Sequence, residues 1–202
     1  MDMSGMDLNY CIAGFAEKVG SGAIDIYNEF SLQHELGIYL RNQLDNCKIR
    51  FEQNVSDVGL EKSEYVKKEI DISITSTDSG EHLSAIELKY PRNGQVPESM
   101  FSFCKDIAFL EQLVTTGFQS AYFLAFAEDP LFYTGKNEGI YGFFRSGRPI
   151  TGRIRKPTGA KDSEIIIKGP YHATWLPVSG SRRFCLIQIA GQNAARIRAL
   201  AK

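Results

Sequence analysis

Two short segments of this 202-residue chain place acidic and basic side chains at strand spacing. In Glu69-Ile-Asp-Ile-Ser-Ile-Thr75 the alternation sets Ile70, Ile72 and Ile74 on one face and Asp71 and Ser73 on the other. In Ala85-Ile-Glu-Leu-Lys-Tyr90 the residues Ile86, Leu88 and Tyr90 share a face, and Glu87 and Lys89 share the opposite one. The turn cluster Thr77-Asp-Ser-Gly80 between them predicts a β-hairpin. A turn centred near Ser79 sets Asp71 across from Glu87, with Cβ atoms about 4.5–5.5 Å apart and on the same face as Lys89. Facing carboxylates repel. A divalent cation between them removes the repulsion, and Mg²⁺, with Mn²⁺ as a substitute, takes carboxylate oxygens and waters as ligands. Such an ion polarises a phosphoryl oxygen and acidifies a bound water. Lys89 would position or deprotonate that water, or offset charge in the transition state. The chemistry that suits this set is phosphodiester hydrolysis, with Asp71 and Glu87 as metal ligands and Lys89 as a catalytic partner.

The elements that must hold these residues are legible in the apolar spacing. Residues 6–19 and 27–44 read as amphipathic helices, 48–55 as a strand, and 98–116 as a helix stopped by Gly117. The nearly continuous apolar run Ala121 to Ala127 reads as a strand buried on both faces. Beyond Asp129 the spacing predicts short strands at 139–144, 164–168 and 184–190 and a terminal helix at 192–201. The fold class expected is a mixed α/β (α+β) domain, with a central β-sheet flanked by helices and a β-rich C-terminal extension. We expect a single domain over residues 1–202, its core at about 26–129 and the extension at about 130–202.

Asp71 in its strand, then Glu87-Leu-Lys89 in the next, resembles the D…ExK signature of the PD-(D/E)xK nuclease superfamily, the restriction endonuclease-like fold. The order of flanking elements over residues 26–129 is similar to the αβββαβ core of that family. Ile70 stands where the family pattern has proline. The resemblance implies an Mg²⁺-dependent endonuclease acting on DNA, with a glutamate on the preceding helix joining the site. Glu35, set among Leu32, Leu36 and Leu40, is favoured for that role over Glu29, and Lys105, Asp106 and Gln112 on the following helix are candidates for support around it. The alternative is a non-catalytic nucleic-acid- or protein-binding module that retains the fold.

The formal net charge of −1 is a cancellation. Residues 1–140 carry 11 Lys and Arg against 22 Asp and Glu, whereas residues 141–202 carry 12 against 2. This asymmetry points to a charged partner. In the basic part Arg145, Arg148, Arg153, Arg155, Lys156, Arg182 and Arg183 are candidates for gripping a nucleic-acid backbone. A solvated basic face, or contacts with the acidic part of the chain, is the plainer account of them. Trp175 and His172 read as packing residues. Cys11, Cys47, Cys104 and Cys185 are too scattered for a zinc site and read as small buried hydrophobes. No secretory leader or bilayer-length apolar run is present, so a soluble, cytoplasmic protein with no membrane association is expected. A homodimer would suit double-strand cutting.

Overall fold

The computed structural model describes residues 8–59, 66–92, 94–159 and 163–190. Helix α1 (Leu8–Gly20) buries Leu8, Cys11, Ile12, Phe15 and Val19, the stripe its spacing predicts. Helix α2 (Glu29–Gln43) starts at a capping box: Ser31 N donates to Asn28 Oδ1 at 2.7 Å and Asn28 N donates to Ser31 Oγ at 3.0 Å. The strands β1 (Cys47–Asn54), β2 (Glu69–Ser76) and β3 (His82–Lys89) form an antiparallel meander. Helix α3 (Val96–Thr116) then crosses over to β4 (Ser120–Ala127), which pairs parallel to β3. Seven of the eight residues of β4 are buried.

The C-terminal part divides. Helix α4 (Tyr141–Arg145) occupies most of the stretch predicted as a strand at 139–144, because Ile140 and Phe144 turn inward together at helical spacing. The hairpin of β5 (Ile150–Arg155) and β6 (Glu164–Tyr171) makes a small separate sheet. In contrast, β7 (Trp175–Ser179) and β8 (Arg182–Ala190) join the main sheet, whose order is β1-β2-β3-β4-β8-β7. The terminal helix expected at 192–201 lies outside the described residues.

Two apolar layers sandwich the main sheet. One lies under α1 and α2 and includes Phe15, Leu36, Ile72, Ile74, Ile86, Leu88 and Phe126. The other is built on α3 and includes Phe103, Ile107, Leu110, Phe123 and Ile187. Helix α3 is buried on most sides because the β5–β6 sheet covers its far face with Ile154, Ile165 and Ile167. Glu111 on α3 fastens that sheet, accepting from Lys168 N, Gly169 N and the Tyr171 hydroxyl. No helix among the described residues is long and apolar enough to cross a membrane. The thiols of Cys11, Cys104 and Cys185 are buried and that of Cys47 is half-buried.

Ile70 breaks the expected alternation. It packs in the α3 layer, while Ile72 and Ile74 pack beneath α1 and α2. The change of face falls where β1 carries Glu52, a residue between the Phe51–Ile72 and Gln53–Ile70 pairs whose φ of 46° is left-handed. This irregularity sits at the candidate site.

Candidate active site

The hairpin register is Ile72 opposite Ile86, Ser73 opposite Ala85 and Ile74 opposite Ser84. Extended by one position it sets Asp71 opposite Glu87, as the turn geometry predicts. Main-chain pairing, however, stops at Ile72–Ile86. Beyond it the side chains take over: Leu88 N donates to Asp71 Oδ2 at 2.7 Å, and Asp71 N donates to Glu87 Oε1 at 3.3 Å. Each carboxylate thus serves backbone amides that a regular ladder would have joined to carbonyls.

Both side chains, with Lys89, lie toward α3, and that helix contributes Asp106. Asp106 falls on the inward stripe of Phe103, Ile107 and Leu110, where an acid must be paired to be tolerated. Lys67, just before β2, supplies one partner. Its ammonium donates to Glu87 Oε2 and lies 3.2 Å from Asp106 Oδ1 and 3.6 Å from Asp71 Oδ1. Lys89 Nζ lies 3.3 Å from Asp106 Oδ2 and 3.4 Å from Glu29 Oε1, and donates to Leu88 O at 2.8 Å. Four carboxylates and two ammonium groups are gathered at the end of the sheet. Glu87 is 0% exposed and Asp106 2% exposed, so they do not form the solvated face of an ordinary hairpin.

Burial sets the electrostatics. It raises Glu87 well above the ordinary carboxylate value, Asp71 and Asp106 add to the rise, and Lys67 opposes it. Burial likewise raises Asp106, with Lys89 and Lys67 opposing. For the lysines burial acts downward but is outweighed. Glu87, Asp106 and Asp71 hold Lys67 above its ordinary value, and Asp106, Glu29 and Asp71 do the same for Lys89. Both ammonium groups therefore stay charged at neutral pH.

Of the two helix glutamates, Glu29 reaches the site. Its place directly after the Asn28 cap lets Oε2 accept from Tyr90 N at 3.1 Å while Oε1 faces Lys89. Glu35, the residue favoured from sequence, lies 3.4 Å from His34 Nδ1 on the same helix. Gln33 fills the intervening space instead, donating to Glu52 Oε1 at 2.6 Å and to Asp71 O at 2.8 Å. Gln33 and Lys67 have no spacing signature, since each comes from an element or loop outside the hairpin. Gln112 Oε1 accepts from Val66 N at 3.0 Å, anchoring the chain next to Lys67. Lys105 stacks over Phe101. A cleft of ≈ 410 Å³ opens beside the cluster, lined by Glu29, Lys89, Tyr90, Arg92, Ser99 and Ser102 among others.

Among the described residues no three His, Cys, Asp or Glu side chains are gathered as a metal-ligand set. The Lys67 ammonium stands between the carboxylates of Asp71, Glu87 and Asp106. The donor chemistry nonetheless fits Mg²⁺, which takes hard oxygen ligands. Asp106 Oδ2 is buried and accepts no hydrogen bond, although the Lys89 ammonium lies 3.3 Å away.

The basic C-terminal side chains are largely engaged within the chain. Arg145 donates to the carbonyls of Leu131 and Lys136 and stacks on Tyr141. Arg148 donates to Gly139 O and stacks on Phe143. Arg182 pairs with Glu128, and Arg183 donates to Gly180 O and lies over Tyr133. Arg153 and Arg155 share Glu164, with side chains 59% and 76% exposed. His172 and Trp175 bond the carbonyls of Gly147 and Phe144, as packing residues do.

Comparison of the chain with family models, with curated proteins and with solved structures finds no match.

Proposed function

We propose that this protein is a metal-dependent nuclease of the PD-(D/E)xK type that hydrolyses phosphodiester bonds, with DNA as the substrate the resemblance implies. The observation that carries this reading is the meeting of Asp71 and Glu87 where β2 and β3 splay, with Lys89 on the same side. The order α2-β1-β2-β3-α3-β4, with β3 and β4 parallel, supports the restriction endonuclease-like comparison.

Asp71 and Glu87, with Asp106 beside them, are the side chains that would hold Mg²⁺. When bound, the ion supplies Lewis-acid polarisation and a more acidic water. The chain's own part is electrostatic. Lys89, facing the cleft, donates to a phosphoryl oxygen as negative charge grows on it, and Glu29 and Asp106 hold the ammonium in place. Arg92 lines the same cleft and would meet a further phosphate.

The test is cleavage of labelled single- and double-stranded DNA by wild type, Glu87→Gln and Lys89→Ala, with Mg²⁺, Mn²⁺ or chelator. The expected result is metal-dependent cleavage by wild type that falls about 10²-fold or more in either variant, with folded spectra retained. Equal cleavage by all three proteins overturns the proposal.

A second reading, the non-catalytic binding module, draws support from Lys67, which offsets part of the carboxylate charge without any metal. It predicts salt-sensitive DNA binding and no rise in melting temperature with Mn²⁺, whereas a ligand bound by the native state alone raises it.

A further inference from the structure

Lys67 occupies the point toward which three acidic side chains turn, and it does so from a segment outside the paired part of β2. We infer that Asp106 is the third carboxylate of the cation site begun by Asp71 and Glu87, and that the Lys67 ammonium and a divalent cation are alternative occupants of that site. The inference rests on the metal-dependent reading above.

Three observations carry it. The first is geometric. Asp71 Oδ1 and Asp106 Oδ1 lie 3.6 and 3.2 Å from Lys67 Nζ, whereas Mg²⁺ requires oxygens at about 2.0–2.1 Å. The ammonium fills the point that a small ion shared by these carboxylates would take, in keeping with the lack of a gathered ligand set among the described residues. The carboxylates can close only if the ammonium withdraws.

The second is the acceptor count. Asp106 Oδ2 is buried without a hydrogen bond although Lys89 lies 3.3 Å away, so the two lysines leave the cluster incompletely satisfied. Formal charge agrees. Counted as fully ionised, Asp71, Glu87, Asp106 and Glu29 set four negative charges against two from the lysines, and exchanging Lys67 for a divalent ion raises the positive side to three.

The third is mobility of attachment. The Lys67 side chain is 27% exposed, and its segment is held by Val66 N on Gln112 and Lys68 O on Val55 N, not by a hairpin ladder. It can swing outward without unpairing β2 from β3. The Lys67 ammonium meets side chains, the carboxylates of Asp71, Glu87 and Asp106 and the Phe109 ring, whereas Lys89 also donates to the backbone at Leu88 O, so Lys67 is the one that a cation bound by those carboxylates would replace.

The experiment uses the full chain and Mn²⁺ alone, with two readouts besides activity. Calorimetric titration should show Lys67→Met binding Mn²⁺ about tenfold more tightly than wild type, because the competent state no longer needs the ammonium to leave. Asp106→Asn should bind about tenfold more weakly. In wild type, where folding is not in question, acylation of Lys67 followed by mass spectrometry should accelerate at saturating Mn²⁺ as the amine moves into solvent. Equal Mn²⁺ affinities for wild type and Lys67→Met, or a Lys67 acylation rate unmoved by bound Mn²⁺, would overturn the exchange while leaving the metal-dependent reading intact. If neither wild type nor any variant binds Mn²⁺, that reading falls and the exchange with it.

Discussion

Glu29 and Lys89 face each other at 3.4 Å across the gap between the start of α2 and the end of β3, and the same glutamate accepts the backbone N–H of the residue after that lysine. One carboxylate therefore fixes both the charge and the backbone direction at the end of the strand. Exchanging Glu29 for Gln keeps the acceptor for Tyr90 N and removes the charge. We expect Glu29→Gln to lower cleavage by about tenfold or more with little change in stability. Glu35→Gln should stay within about 0.5 kcal/mol of wild type and keep full activity. Steady-state rates on labelled DNA and urea midpoints decide between them; full activity in Glu29→Gln with loss in Glu35→Gln would return the role to Glu35.

The seating of α2 depends on Gly37. A Cβ there would enter the Phe51 ring of β1, which is also covered by Arg41 with its guanidinium 5.1 Å from the ring centroid. Gly37→Ala should therefore destabilise by about 1–3 kcal/mol through overpacking, despite alanine's better helix propensity. Helix α2 also carries Glu29 and Gln33, so cleavage should fall together with stability. A urea midpoint at or above that of wild type would show that the ring moves aside.

Glu111 is a polar pin through the second core layer. Its carboxylate receives Lys168 N at 2.9 Å, Gly169 N at 2.7 Å and the Tyr171 hydroxyl at 3.0 Å. Glu111→Ala leaves these donors without their acceptor, at a cost of about 1–3 kcal/mol for each group kept from water. Limited trypsin digestion should then cut first within residues 150–171, where Arg153, Arg155 and Lys168 offer sites. Unchanged digestion kinetics would mean that Ile154, Ile165 and Ile167 alone hold the small sheet.

Acid and alkali should act on one contact, the knot of Tyr90, Glu128 and Arg182. The Tyr90 hydroxyl donates to Glu128 at 2.7 Å, and Arg182 Nε donates to the same oxygen at 3.0 Å. Tyr90 and Arg182 hold Glu128 below its ordinary value of 4.5, so its contribution is full above that value and lost as pH falls through the lowered one. Glu128 is about half exposed, so solvent screening keeps the effect under about 1 kcal/mol. The stability gap between wild type and Glu128→Gln should therefore be present at pH 7 and shrink as pH falls below 4.5. Burial and Glu128 push Tyr90 up to about 12 from 10.0, so its contribution is present below pH 10 and fades toward pH 12. Tyr90→Phe should remove that alkaline decline. Chemical denaturation across the pH range measures both, and a gap independent of pH would refute the assignment.

Much of the architecture is readable from spacing alone, because β2 and β3 carry a period of two, β4 a continuous apolar run and α3 a helical apolar stripe. The Asp71–Glu87 juxtaposition follows from a turn length. What spacing cannot show is an exception to itself. Ile70 packs in the opposite layer, where β1 carries the left-handed Glu52. Lys67, Gln33 and Glu29 meet the hairpin only through tertiary packing. Asp106 left a trace, an acid on an otherwise apolar helical stripe. Residues 139–144 mislead because a single helical turn is too short to display a period. The charge asymmetry was visible, but the consumption of Arg145, Arg148, Arg182 and Arg183 by carbonyls and aromatic rings was not.

The order of strands in the main sheet has a consequence for how the molecule is made. β4, the most deeply buried strand, pairs on one side with β3 and on the other with β8, where Ser120 meets Ala190 and Ala127 meets Arg183. During synthesis the apolar strand Ala121 to Ala127 emerges some sixty residues before the partner for its second edge. Throughout that interval it offers an unpaired, hydrophobic edge of the kind that templates association between chains. A nascent chain arrested before Arg182 would thus keep that edge of β4 open to other copies, and β8 covers it once made.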